Sequence, residues 1–423
     1  MRSQMISTIY AFHRPIPRFY FHHDLPLILS AVLVTIIPCP LLRIEKNQNP
    51  PALSLLALEF KGNLMLKKIN LPIWTMATPL LSVIFFFIAG SDAAGMMRII
   101  IAFLLIGSVL SSVHHAEVIA HRVGEPFGTI ILAIAITTIE VALIVSLMLS
   151  GGEGEKALAR DTVFAAVMII ITAIVGLCIL KGSITYREQR YHLAGVNAAL
   201  ITLMAIVILT LILPNFTVSG PVGEYSESQL IFVSVVSLIL YGGFIFVQTF
   251  RHRDYFLPKD SSSEDDHAPA PNKITSGMSL VFLLISLAIV VLLAKYLSYD
   301  LEQIVLSVGA PKSLVGVIIA AIVLLPEGLA AYRAVKANRL QTSLNLALGS
   351  ALASIGLTIP AVAIVAIITG YPLVLGIDAR SMVLLLLSML TLIFSLATGK
   401  TNIQQGVVLL VIFACYLFYT IVP

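Results

Sequence analysis

Two glutamates stand in the middle of long apolar stretches, where an ionisable side chain is rare. Of the 22 Asp and Glu residues in the chain, only Glu140 and Glu327 occupy such positions, and no Lys or Arg lies mid-stretch to neutralise them. A charged group at the centre of a bilayer costs about 2.5 to 3.5 kcal/mol on insertion scales. Carboxylates kept at that cost bind a cation or carry a proton. The alternative is that each Glu stays protonated and hydrogen-bonds a neighbouring helix.

The residues beside both glutamates favour a binding role. Thr137 and Thr138 precede Glu140, and Pro326 precedes Glu327. A proline within a helix frees a backbone carbonyl, and threonine hydroxyls supply further oxygens. Each carboxylate is therefore predicted to have other oxygen atoms close by.

Membrane-spanning helices are the elements that must position these residues. Hydrophobic residues make up 58% of the 423 residues and charged residues only 11%, which excludes an ordinary soluble domain. A helix needs about 20 apolar residues to cross the hydrocarbon core. Eleven crossings are predicted, at residues 73–90, 96–113, 127–149, 162–181, 194–213, 229–249, 278–297, 313–334, 342–369, 380–397 and 404–422. The predicted fold class is an all-α polytopic membrane protein.

The distribution of basic residues predicts the orientation of these helices. Short cytoplasmic loops collect Lys and Arg. If the segment before Trp74 is cytoplasmic, the connections on that side hold most of the basic residues, whereas residues 214–228 hold none. This bias predicts a cytoplasmic N-terminus and, with eleven crossings, an external C-terminus.

An internal repeat precedes the two glutamates. Glu117 is followed seven residues later by Gly124-Glu125-Pro126, and Glu302 is followed seven residues later by Gly309-Ala310-Pro311. Each block then enters an apolar helix that contains its glutamate. Because five crossings begin with each block, the two halves must have opposite orientations. Inverted repeats with a substrate site near the midplane are typical of secondary transporters.

At these residues the chain resembles the ChaA-type calcium/proton antiporters of the cation/calcium exchanger superfamily. The resemblance covers residues 71–423, and two motifs carry it. The first is His114-His115-Ala116-Glu117-Val118-Ile119-Ala120-His121-Arg122-Val123-Gly124-Glu125-Pro126 through Glu140, and the second is Leu325-Pro326-Glu327-Gly328 through Asn345-Leu346-Ala347-Leu348-Gly349-Ser350. The resemblance implies a leading helix at residues 65–92, inverted five-helix repeats at 93–250 and 278–423, and a cytoplasmic acidic loop within 251–277.

The resemblance also implies an activity and a location. Glu140 and Glu327 are expected to occupy the places of the superfamily's two ion-binding glutamates. The chain is then expected to exchange cytoplasmic Ca²⁺ for H⁺ by alternating access in the inner membrane of a bacterium, among membrane lipids. We expect no enzyme activity, no cofactor and no nucleic-acid partner.

The context of the two glutamates departs from the Gly-Asn-x-x-Glu pattern of typical calcium exchangers. Ile136-Thr137-Thr138-Ile139-Glu140 and Val323-Leu324-Leu325-Pro326-Glu327 both lack the asparagine, and thus two amide oxygens. Because Ca²⁺ takes about six to eight oxygen ligands, Na⁺ and K⁺ remain candidate substrates. Four side chains are candidate supplementary ligands: Thr137, Thr138, Ser350 and Ser354. The matching place in the first half, around Thr172, is mostly apolar.

A histidine cluster leaves three interpretations open. His114, Glu117 and His121 share a helical face, beside His115. The first is the metal site of a membrane metalloenzyme, although the cluster supplies few protein ligands for one. The second is a solvated helix end. The third is a group of residues for proton entry and pH sensing. The residues assigned to the last role are His114, His115, Glu117, His121, Glu125 and Glu302.

Two segments do not resemble membrane helices. The first 64 residues are predicted to be an extension, and translation from Met65 is an alternative. The acidic residues Glu264, Asp265 and Asp266 either attract cytoplasmic Ca²⁺ or belong to a disordered loop.

Overall fold

Helices follow one another at the places of the predicted apolar runs. The computed structural model describes residues 71–89, 95–124, 127–148, 157–218, 220–257, 271–307 and 309–422. Within them we group contiguous helical turns as α1 (Ile73–Ala89), α2 (Gly95–Val123), α3 (Phe127–Met148), α4 (Leu158–Tyr186), α5 (Leu193–Phe216), α6 (Glu227–Arg251), α7 (Lys273–Ser307), α8 (Ser313–Lys336), α9 (Leu340–Thr369), α10 (Ala379–Leu396) and α11 (Ile403–Ile421). The extension and the acidic loop lie outside the described residues.

Most of these helices are long and apolar enough to cross a membrane. In the described ranges nine satisfy both conditions, whereas α1 and the apolar part of α3, Ile130–Ser146, are shorter. The all-α polytopic class is therefore confirmed, and the number of crossings stays a prediction. Regular helix geometry is interrupted by π-helical turns at Ile169–Ile174, Ile208–Ile212 and Val247–Arg251, which hydropathy does not reveal.

Two helices extend well beyond their apolar runs. α2 continues through the histidine cluster to Val123, and α7 continues to Ser307. Gly124 and Gly309 follow these ends with φ of +79° and +74°. Glycine adopts this left-handed conformation without a steric penalty and commonly closes helices in this way. The repeated glycine thus has the same backbone role in both halves.

α2 and α7 pack against each other along their length in opposite directions. The Arg98 guanidinium lies 2.8 Å from the Asp300 carboxylate at one end of the pair. At the other end, Arg122 donates a hydrogen bond to the Pro271 carbonyl at 3.0 Å. Between them, His115 of α2 stacks on Phe282 of α7. α1 packs on both helices.

The remaining helices pack across the two halves in a reciprocal way. α3 packs on α9, and α8 packs on α4. α4 and α8 run parallel, because Gly316 lies beside Thr162 and Gly328 lies beside Ile174. Likewise α6 packs on α9 and α11 packs on α4. The second helix of each half therefore contacts the third helix of the other half.

Two loop contacts, which we call the loop clamps, join the halves. In the first, the α4–α5 connection pairs with the α10–α11 connection through a bridge between Arg190 and Lys400. In the second, the α5–α6 connection pairs with the α9–α10 connection through a bridge between Glu224 and Val374.

The two loop clamps lie at opposite ends of the helix bundle. The first lies at the start of α9, where Gln341 accepts a hydrogen bond from the His192 backbone at 2.6 Å. The second involves the connection that leaves the other end of α9 at Thr369. α4 and α9, the most buried of the candidate membrane spans, run between these clamps.

Candidate ion-binding site

Glu140 lies in the middle of α3, facing α9. Its side chain is 4% exposed, and Oε1 accepts a hydrogen bond from Ser354 Oγ at 2.6 Å. α3 and α9 are nearly continuous apolar helices, so their few polar side chains gain most by facing each other across the helix interface. The supplementary role predicted for Ser354 is compatible with this contact.

Glu327 lies in the middle of α8 and is 9% exposed. Neither of its carboxylate oxygens has a hydrogen-bond partner among the residues that the structure describes. α8 continues through Pro326. Glu327 is therefore buried without a hydroxyl contact like the one that Ser354 makes with Glu140.

The two glutamates are close enough to interact electrostatically. The Glu327 carboxylate is within range of the charges of Glu140 and, more weakly, of Glu117 on α2. Glu117 itself is exposed and lies within range of Arg333, further along α8. Two buried carboxylates that interact in this way repel each other when both are ionised, and a bound cation or proton reduces that repulsion.

The other predicted ligands fall into two groups. Thr137 is buried and lies three residues before Glu140, hence on the same face of α3, and Ser350 is half-buried one turn before Ser354. Thr138, in contrast, is exposed, and its hydroxyl donates to the Ile134 carbonyl of its own helix. Of the four candidates, Ser354 thus contacts the glutamate, Thr137 and Ser350 share a helical face with Glu140 and Ser354 respectively, and Thr138 is turned away.

Thr358 is a candidate that the sequence interpretation missed. It is fully buried one turn beyond Ser354 and interacts with the Glu140 carboxylate, although no hydrogen bond of ordinary geometry joins the two. Its spacing of four residues from Ser354 was the available signal, because residues four apart share a helical face.

The histidine cluster does not form a metal site in the part of the chain that is described. No group of three or more His, Cys, Asp and Glu side chains there is arranged to hold an ion. His115 is fully buried and lies 3.1 Å from the Thr75 carbonyl of α1, whereas His114 faces Trp74 at 6.0 Å between ring centres. His121 is exposed. His115 therefore lies in a helix interface, whereas His121 lies on a helix surface.

The two acidic residues assigned to proton entry with this cluster lie elsewhere. Glu302 is near the opposite end of α7, in an ion pair with Lys312. Glu125 is outside the described residues. The structure therefore does not bring the six predicted proton-entry residues together, and their role stays a prediction.

Comparison with known proteins shows to which family the chain belongs. The sequence profile described as Sodium/calcium exchanger protein matches residues 94–250 and 278–422. The chain belongs to this family. Among the exchanger's relatives, y4hA of Sinorhizobium fredii is 43% identical over 372 residues, covering 86% of this chain and all of that protein. The sodium-potassium/proton antiporter ChaA of Escherichia coli is 35% identical over 346 residues, covering 80% and 93%.

A solved structure has the same fold. The H⁺/Ca²⁺ exchanger CAX superposes with a TM-score of 0.62 at 17% identity, covering 81% of this chain and 87% of that one. The predicted membership of the cation/calcium exchanger superfamily is thus confirmed, as is the expectation of a transporter instead of an enzyme. The metalloenzyme alternative is wrong. The chain is a multi-pass membrane protein that exchanges cations.

Proposed function

We propose that this exchanger exports Ca²⁺ from the cytoplasm in exchange for H⁺, also accepts Na⁺ and K⁺, and binds ions and protons at Glu140 and Glu327. The observation that carries the proposal is that two buried carboxylates lie within electrostatic range of each other near the middle of their helices. The names of two similar proteins, a sodium-potassium/proton antiporter and an H⁺/Ca²⁺ exchanger, support the choice of ions.

Charge balance explains how exchange is coupled at such a site. Two carboxylates neutralise one Ca²⁺, or they bind two protons, so that either loaded form crosses the low-dielectric barrier nearly neutral. The empty site would carry two uncompensated charges, each with a desolvation cost of several kcal/mol. Proton entry from outside therefore drives cation expulsion.

The proposed architecture is a leading helix followed by two inverted five-helix repeats. The reciprocal helix packing, the two loop clamps at opposite ends and the two ranges matched by the family profile support this division. The α2–α7 pair is the proposed moving part, because neither of these helices is joined to the loop clamps. The distribution of basic residues supports a cytoplasmic N-terminus in the inner membrane of a bacterium.

Ion-dependent proton flux in inverted membrane vesicles tests the proposal. Vesicles acidified inside are given Ca²⁺, Na⁺ or K⁺ separately, and the release of protons is followed with a pH-sensitive dye. We expect the wild-type protein to dissipate the gradient with Ca²⁺, and the double variant Glu140→Gln/Glu327→Gln to move neither protons nor cations.

Single substitutions and a matched control sharpen this test. Glu140→Gln or Glu327→Gln alone should abolish Ca²⁺ exchange, because one carboxylate leaves the bound ion with a net positive charge in the barrier. Thr138→Val is the control, since Thr138 is exposed and directed away from the site. Wild-type Ca²⁺ exchange in both single variants would refute the assignment of the glutamates.

A further inference from the structure

We propose that the groove between α4 and α8 binds an anionic phospholipid, with one acyl chain in the groove and the phosphate group held by Lys181 and Lys336. This lipid site is separate from the two glutamates, and it does not depend on which cation the protein exchanges. The depth of the groove, the position of the two lysines and their charge together favour this occupant.

The groove is largely apolar and open along one side. It has a volume of about 440 Å³, and its lining includes Ala173 and Leu177 of α4 and Leu325, Gly328 and Leu329 of α8. The three leucines are between 40% and 47% exposed, so the groove is accessible from outside the helix bundle. In a membrane the groups that cover such an apolar surface are hydrocarbon chains.

The groove has the length of one leaflet of the bilayer. Its walls are formed by residues 169–178 of α4 and residues 321–332 of α8. At about 1.5 Å per residue these stretches are about 13 and about 16 Å long, and half of the hydrocarbon core is about 15 Å thick. Ala321 lies near the middle of α8, and Tyr332 lies near its end. The groove therefore extends from the midplane to the headgroup region on one side of the membrane.

A lysine follows the groove on each helix, about one turn beyond the residues that line it. Lys181 is four residues after Leu177 of α4. Lys336 is four residues after Tyr332 of α8. Because residues four apart share a helical face, both lysines continue the faces that line the groove. Lysine side chains near the ends of membrane helices extend to the headgroup region, which is the depth of the lipid phosphates.

Contacts between the ends of α4 and α8 bring the two lysines to the same end of the groove. The ideal Cβ position of Gly182 lies 3.3 Å from a methyl carbon of Val335. The Tyr186 hydroxyl donates a hydrogen bond to the Lys336 carbonyl at 2.8 Å. Lys181 directly precedes Gly182, and Lys336 directly follows Val335. One phosphate group at this end of the groove can therefore interact with both ammonium groups.

The charge of the two lysines favours an anionic lipid over a zwitterionic one. Within the described ranges no ion pair joins Lys181 or Lys336 to an acidic residue. Glu188, which follows α4, lies 3.5 Å from Lys400 instead. Basic residues between membrane helices on the cytoplasmic side typically bind anionic headgroups, and this end of the bundle is the one proposed to be cytoplasmic.

Quenching of a tryptophan placed in the groove tests the proposal. Trp74 is the only tryptophan of the chain, so Trp74→Phe with Leu329→Trp gives a full-length protein with one reporter at the groove. The protein is reconstituted into phosphatidylcholine vesicles that contain increasing fractions of a brominated lipid, either phosphatidylglycerol or phosphatidylcholine. Brominated acyl chains quench tryptophan on contact, so the ratio of the two quenching curves measures the preference for the anionic lipid.

We expect this reporter to show a preference for phosphatidylglycerol to which each lysine contributes about fivefold, the strength with which one basic group near a membrane surface attracts anionic lipid. Lys181→Gln and Lys336→Gln should each lower the preference by about that factor, and the double variant should remove it. Lys400→Gln is the matched control at the same end of the bundle, since Lys400 has an acidic partner. It should leave the preference unchanged.

Leu390→Trp, also combined with Trp74→Phe, is the matched reporter away from the groove. Leu390 is 46% exposed and lies about two turns before the end of α10, as Leu329 does in α8. No basic residue follows Leu390 within those turns. We expect the two brominated lipids to quench this reporter equally. Melting temperatures within a few degrees of the parent protein verify the folding of each variant.

Equal quenching of the Leu329→Trp protein by the two lipids would overturn the proposal, and so would a preference that survives the double lysine substitution. If a second copy of the chain covered the groove, neither lipid would quench the Leu329→Trp protein, and the lipid assignment would be wrong. Failure of the exchange function has a different signature, because cation-dependent proton flux would then be absent whatever the quenching shows.

Discussion

At the scale of single residues, Gly124 and Gly309 connect the sequence repeat with a backbone requirement. Both follow a long helix, both have positive φ, and among the described residues neither has a heavy atom within 4 Å of its ideal Cβ position apart from its neighbours in the chain. The reason for glycine at these places is therefore conformation and not space. An L-residue in this conformation costs about 1 to 2 kcal/mol.

Replacing either glycine with alanine should lower stability by about 1 kcal/mol. Gly242→Ala in α6 is the matched control, because it has equal space at its Cβ position but ordinary helical backbone. That control should be neutral or stabilising, since alanine is the better helix former. Thermal unfolding in detergent measures the three variants. A larger loss for Gly242→Ala than for Gly124→Ala would contradict this account.

The residue types alone predicted the main features of the candidate site. Glu140 and Glu327 stand out because acids are rare in apolar helices, and both are buried in the structure. Which hydroxyls face them depends on the rotation and pairing of helices, and this is why Thr138 was included and Thr358 was missed. The π-helical turn that contains Thr172 was not predicted either, because the apolar sequence of α4 holds no evident signal for it.

At the scale of elements, the loop clamps separate the helices that are tied together from those that are not. The first clamp includes hydrogen bonds from the Tyr191 backbone to the Gly399 carbonyl and from the Thr401 backbone to the Gln189 carbonyl, at 3.3 and 3.1 Å. In the second, the Asn215 amide donates to the Ile377 carbonyl at 2.6 Å. Both join α4–α6 to α9–α11, so these helices should move as one unit.

Disulfide bonds placed across the clamps should therefore leave transport intact. The proposed pairs are Arg190→Cys with Lys400→Cys, and Glu224→Cys with Val374→Cys, in a chain that carries Cys415→Ser because Cys415 is exposed. Bridged residues on antiparallel segments have Cα atoms about 4.5 to 5.5 Å apart, within the range that a disulfide spans.

Cation-dependent proton flux is compared before and after oxidation, with the single-cysteine variants as controls. We expect equal rates for both pairs. A loss of flux on oxidation that a reductant reverses would show that the clamps open during the transport cycle, contrary to the proposed rigid unit.

Hydropathy located the helices but not their full lengths. The crossings predicted at residues 96–113 and 278–297 correspond to the longer helices Gly95–Val123 and Lys273–Ser307. Polar residues continue each helix beyond its apolar stretch. A hydropathy window reports the apolar stretch alone. The loop clamps were not predictable at all, since they join connections far apart in the sequence, Arg190 with Lys400 and Glu224 with Val374, through backbone atoms that carry no sequence signal.

At the scale of the whole molecule, the residues of the proposed site and of both loop clamps all follow Met65 in the chain. A chain that begins at Met65 should therefore insert and exchange cations at the wild-type rate, as measured by vesicle flux at equal protein abundance. Loss of flux from a correctly inserted shortened protein would refute this prediction.

The reciprocity of the loop clamps bears on how the two halves find each other. Each clamp pairs a connection of one half with a connection of the other, at opposite ends of the bundle, and the third helix of each half is packed by helices of its counterpart. The covalent link between α6 and α7 is then only one of several connections between the two halves. Two separately synthesised polypeptides, one ending after α6 and one beginning before α7, would carry the complementary surfaces needed to assemble into an active exchanger, much as the subunits of a heterodimer do.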